Sequence, residues 1–138
     1  MNEQQNVATV QAVYEAFGRG DIAAILSKLD ENVAWEQDGQ SWGIPWYEPR
    51  QGVAEMPSFF SALMSGLAIH KMEPKNILSG GNQVAVVMDL EAEVIGSGQR
   101  LQELEIHLWT FGGDGKVTRF AHVLDRHPQL LAYQAVAV

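Results

Sequence analysis

The chain has 138 residues, 46 % of them apolar, a formal charge of −8 and no cysteine. That length and composition predict one globular domain, residues 1–138, with a core of ordinary size. The acidity and the absence of Lys or Arg runs argue against a nucleic-acid partner and against an anionic membrane surface, and the missing cysteines exclude disulfides, thiolate metal sites and cysteine nucleophiles. The polar start Met1–Asn6 carries no basic-then-apolar leader, and no apolar run approaches the roughly 20 residues that span a bilayer, so a cytoplasmic protein is expected.

Residues 3–18 have helical spacing, with Val7, Val10, Val13, Tyr14 and Phe17 on one stripe and Gly18 and Gly20 ending it. Asp21 is a good N-cap for a second helix, Ile22–Leu29, which Asp30-Glu31-Asn32 breaks. Val33–Gln37 reads as a strand with Val33, Trp35 and Gln37 on one side. Asp38–Gln51 is a Pro/Gly-rich loop holding Trp42, Trp46 and Tyr47, rings that either cap the core or a dimer contact, or lid a pocket. A third helix covers Gly52–Leu67, with Pro57 placing its regular part from about Met56.

From Ala68 onward the pattern is β: Ala68–Leu78 with Pro74 marking an edge or bulge, Gln83–Ile95, Gln99–Phe111 and Lys116–Leu124. Asp89, Glu91 and Glu93 fall on a solvated face opposite Val86, Met88, Leu90 and Ala92. The tail His127–Val138 has the makings of a short helix. Helices followed by a strand meander predict an α+β fold whose curved sheet buries its concave face.

The last two strands meet at Gly112-Gly113-Asp114-Gly115. Asp-Gly between apolar runs signals a hairpin whose two central residues take positive φ. Glu103, Glu105, His107, Trp109 and Phe111 share one face of the first arm; Phe120, His122 and Leu124 share one face of the second. If His107 and His122 point the same way, they make a polar spot in an apolar wall.

Val10–Phe17 followed by Gly20-Asp21-Ile22, Leu29–Glu36, Phe59–Leu63, His107–Phe111, Asp114–Val117 and Val123–Asp125 together resemble the nuclear transport factor two-like superfamily, in its SnoaL-like and ketosteroid isomerase-like branches. The resemblance spans nearly the whole chain. It implies a cone-shaped curved antiparallel sheet covered by three N-terminal helices, a cystatin-like α+β barrel, and a homodimer joined through Leu104, Ile106, Leu108, Ala121 and Val123. The implied pocket for a hydrophobic small molecule is lined by Val13, Phe17, Trp35, Gln37, Trp46, Phe60, Trp109, Phe120 and Leu124, with His107 and His122 as the catalytic candidates.

The acids of better-known relatives fall on different residues here. The proton-moving aspartate of the ketosteroid isomerases corresponds to Gln37, their oxyanion aspartic acid to His107, and their oxyanion tyrosine to Val13. Tyr14, about 100° further round the helix, is not expected to replace that tyrosine. The aspartate of SnoaL-type cyclases corresponds to His122, and one of its supporting histidines to Phe120. The implied function is cofactor-independent acid/base isomerisation, cyclisation or dehydration of a hydrophobic carbonyl compound, polyketide- or steroid-like. The alternative is a non-catalytic ligand-binding or dimerisation domain. No metal is expected, Glu105 being the only obvious third ligand beside the two histidines.

Overall fold

The computed structural model describes residues 2–37 and 41–135. Helix α1 (Glu3–Gly18) starts at a reciprocal cap. The Asn2 side chain accepts the Gln5 N–H at 2.8 Å, and Gln5 Oε1 accepts the Asn2 N–H at 3.1 Å. Its stripe buries Val10, Val13 and Ala16. Asp21 caps α2 (Ile22–Leu26) by accepting the Ala24 N–H. This helix is shorter than its spacing predicts, because Leu29 already belongs to strand β1 (Leu29–Trp35). After two 3-10 turns and the short β2 (Arg50–Gln51), α3 (Met56–Gly66) begins with Pro57 in its first turn, where a missing N–H costs nothing.

Strands β3 (Leu67–Gly80), β4 (Gln83–Val94), β5 (Arg100–Phe111) and β6 (Val117–Val123) form an antiparallel meander, and α4 (His127–Gln134) follows. The sheet is curved and unclosed, in the order β2-β1-β6-β5-β4-β3. One pairing departs from the expected antiparallel sheet: β1 runs parallel to β6. Strand β3 is an edge, and Pro74 lies at a register shift there, as a residue without an N–H donor requires. Along β4, Val84, Val86, Met88, Leu90 and Ala92 are buried inward, while Asp89, Glu91 and Glu93 alternate on the other face. The β5–β6 turn closes through Gly115 N–H to Gly112 C=O, and of its residues only Gly115 has positive φ, at 80°. The two-residue turn expected from Asp-Gly is therefore a longer one, with the register shifting between Thr110 and Phe111. Asp38, Gly39 and Gln40 of the aromatic loop and the last three residues of the tail lie outside the described residues. No described helix is long and apolar enough to cross a membrane.

Candidate active site

The alternation of β5 and β6 brings the two histidines together. His107 and His122 are directly opposite in register, their ring centroids 4.6 Å apart and their planes nearly perpendicular. Beside them Trp109 pairs with Phe120, on which Trp35 stacks at 4.2 Å. The rings border a cavity of about 70 Å³, lined also by Val13, Phe17, Trp46 and Phe60. A wider recess of about 510 Å³ between α1, α3 and β3 shares Tyr14, Phe17, Leu67, Ile69 and Met72 with it. Trp46 and Tyr47 are buried cavity walls, whereas Trp42 is half exposed.

Two predicted lining residues are elsewhere. Leu124 lies past the end of β6, partly buried against the core but off the cavity. Gln37 is exposed and donates to the Arg50 carbonyl at 2.7 Å. The physical reason is Glu36, whose φ of 59° ends β1 and reverses the alternation. The side chain that turns inward is consequently that of Glu36, not Gln37. Its carboxylate, 1 % exposed, accepts from the His122 backbone N–H at 2.9 Å, from His122 Nδ1 at 2.5 Å and from the Arg126 guanidinium at 2.9 Å. His122 Nε2 is left for the cavity.

His107 is held on both sides. Trp109 Nε1, which can only donate, bonds the Tyr14 oxygen at 3.0 Å, so the Tyr14 hydroxyl proton goes to His107 Nδ1 at 2.7 Å. Neutral His107 then carries its own proton on Nε2 and donates it to Glu105 Oε1 at 3.1 Å. Gln129 Nε2 donates to Glu105 Oε2 at 3.2 Å and Gln129 Oε1 accepts from Trp46 Nε1 at 2.9 Å, so α4 closes the network. The result is a Tyr14–His107–Glu105 relay in which both His107 nitrogens are hydrogen-bonded. Tyr14, not expected at the oxyanion position, puts a hydroxyl on the cavity wall beside His107.

Burial dominates the ionisation of these groups. It lowers His107 below the ordinary histidine range, the Glu105 hydrogen bond only partly opposing it and the His122 charge adding to it. At His122 burial also pulls down, but the charge and hydrogen bond of Glu36, reinforced by Glu105, outweigh it and leave the imidazole raised. Glu105 is pushed up by burial, yet its His107 bond and the His122 charge bring it below its usual value. Desolvation raises the phenols of Tyr14 and Tyr47. Two neighbouring imidazoles thus have their affinities for a proton pulled apart, His107 downward by burial and His122 upward by Glu36.

Sequence reasoning missed Glu36, Tyr14, Gln129 and Arg126 as parts of this site. Glu36 carried no signal, since strand parity turns it outward. Glu105 was visible, two residues before His107 on the same face. Glu105, His107 and His122 are also the described residues able to hold a metal ion, their nearest ligand atoms lying within 4.8 Å of one another.

A sequence profile of the SnoaL-like domain matches residues 10–120. No curated protein matches the chain. Among solved structures, an NTF2-like protein of unknown function from Burkholderia pseudomallei superposes with a TM-score of 0.85 at 20 % identity, covering 98 % of this chain and 100 % of its own. TerC, crystallised with polyporic acid, gives 0.77 at 24 % identity over 95 % and 99 %. A candidate polyketide cyclase from Xanthomonas campestris gives 0.76 at 20 % identity over 97 % and 100 %. At these identities the likeness establishes the fold.

Proposed function

Because the chain belongs to the SnoaL-like domain family, we propose that it is an acid/base enzyme that moves a proton on a hydrophobic carbonyl compound, in an isomerisation, cyclisation or dehydration. The observation that carries this reading is the facing pair His107 and His122 in an apolar cavity, each imidazole on its own carboxylate. In its neutral form His122 Nε2 accepts the proton next to the carbonyl, and the Glu36 carboxylate stabilises the imidazolium that forms. Tyr14, turned from His107 toward the substrate and still held by the Trp109 indole N–H, donates its O–H to the oxygen that gains charge. The solved neighbours described as a candidate polyketide cyclase and as co-crystallised with polyporic acid support a substrate of this kind.

The inner cavity is smaller than the roughly 150 Å³ that accommodates benzene. We therefore place only the reacting end of the substrate beside the histidines and the rest in the outer recess. Assembly as a homodimer through the convex face belongs to the same proposal.

The test does not require the natural substrate. A panel of small cyclic ketones is incubated in deuterium oxide, and exchange at the carbon next to the carbonyl is followed by NMR. Protein-dependent exchange that His122→Ala abolishes and Gln37→Ala leaves intact supports the reading. Exchange unchanged by His122→Ala, or no exchange across the panel, overturns it and leaves a binding domain.

A further inference from the structure

The geometry points to a second capacity of the same wall: Glu105, His107 and His122 form a three-ligand site for a divalent transition-metal ion, with the fourth position open to the cavity. Two imidazoles and a carboxylate are the donor set that suits zinc and its neighbours in the first transition row, bound at about 2.0–2.2 Å. Glu105 Oε1 and His107 Nε2 lie 3.1 Å apart. That is close to the ~3.3 Å that separates adjacent ligand atoms around a tetrahedral zinc. The ligand atoms of all three residues lie within 4.8 Å of one another, wider than that spacing, so the His122 ring has to move inward to complete the set.

The surroundings favour an ion beyond what the three ligands alone would do. A metal-binding histidine is normally oriented by a partner on its other nitrogen, and a metal-binding carboxylate by a donor on its other oxygen. Here every candidate ligand has such a partner. Glu36 holds His122 at Nδ1, Tyr14 holds His107 at Nδ1, and Gln129 holds Glu105 at Oε2. The atoms these bonds leave for an ion are His122 Nε2, His107 Nε2 and Glu105 Oε1. Gln129 is itself fixed by Trp46. Binding at His107 Nε2 moves that nitrogen's proton to Nδ1, which donates it to the Tyr14 oxygen while the Tyr14 O–H turns away from the ring. The ion also takes the His122 nitrogen to which we assign proton transfer, so metal-bound and proton-transferring forms exclude one another.

The test is zinc binding by protein stripped with a chelator, read by calorimetry and by metal analysis after gel filtration. One zinc ion per chain is expected, with affinity falling at least tenfold in Glu105→Gln and in His122→Ala. His70→Ala and His127→Ala, exposed histidines outside the three candidate ligands, should bind as the parent does. Zinc absent from the parent protein, or retained by the first two variants and lost from the second two, overturns the site. Cobalt(II) gives a readout independent of any variant's folding. Intense visible bands of a four- or five-coordinate ion support the site, and the pale spectrum of the hydrated ion refutes it. Because binding is measured without substrate, failure here leaves the exchange assay untouched. A zinc-binding protein that catalyses no exchange fails only the earlier reading.

Discussion

The Glu36 carboxylate grips His122 at two points, its backbone N–H and its ring Nδ1, and pairs through the other oxygen with Arg126. Arg126 is buried to the same degree as His122, and its guanidinium also lies over the Tyr47 ring at 4.5 Å. Removing one member of a buried ion pair leaves an uncompensated charge, at a cost of about 3–5 kcal/mol. Glu36→Ala should lose stability on that scale in urea denaturation. The double variant Glu36→Ala/Arg126→Leu should recover much of it, because the stranded charge goes too. A single variant as stable as the parent would mean that the pair contributes nothing.

Gly66, at the end of α3, packs its Cα against Trp46. A Cβ built there would lie 2.3 Å and 2.6 Å from two carbons of the indole ring. Trp46 cannot easily retreat, being 1 % exposed and bonded to Gln129. Gly66→Ala should therefore destabilise by about 1–3 kcal/mol, the usual penalty for overpacking. At Gly18 a Cβ meets open space and φ is not positive, so Gly18→Ala should be neutral or slightly stabilising. Paired melting curves of the two variants test the contrast.

The two halves of the site were unequally legible in the sequence. Period-2 alternation is a backbone property, so β5 and β6 declared their inward residues, and His107, Trp109, Phe120 and His122 are where the pattern put them. β1 misled at one residue. A positive φ at Glu36 is not encoded by glycine or asparagine, so nothing warned that the alternation would reverse and exchange Glu36 for Gln37. Helix rotation relative to Val13 speaks against Tyr14, yet both residues line the cavity, because an apolar stripe on a core helix is broader than one residue. Gln129 and Arg126 reach the site only through the placement of α4, a tertiary fact that no local pattern carries.

The proposed homodimer makes a sharp prediction at the convex face. Leu104 and Val123 are 66 % and 53 % exposed, beside the half-buried Ile106, Leu108 and Ala121. A contiguous apolar face of this kind is what an isologous interface buries. Leu104→Glu replaces its most exposed apolar side chain with a charge and should convert the protein to a monomer in light scattering, with the fold retained in circular dichroism. A parent protein that is already monomeric removes the interface from consideration.

Glu103 gives the metal-free protein a measurable pH dependence of stability. Burial first, and then the negative charge of Glu105, raise its carboxyl from 4.5 to about 7, with Asp125 adding to the rise and Gln129 and His122 opposing it. Its buried Oε1 has no hydrogen-bond partner among the described residues. A carboxyl that holds its proton more tightly when folded contributes stability that is complete below the unfolded value and disappears as pH rises through the folded one. The melting temperature should therefore gain a downward slope between about pH 4.5 and 7 from this residue. His122, whose pKa is also raised, acts in the same direction from 6.5 upward, and His107, whose pKa is lowered, acts in the opposite sense at lower pH. Glu105, held low, weakens the fold only as pH falls below 4.5. The difference between parent and Glu103→Gln isolates one group from the other three: the variant's melting temperature should gain on the parent's as pH rises from about 5 to 7. Parallel curves for the two proteins would show that Glu103 is ionised throughout.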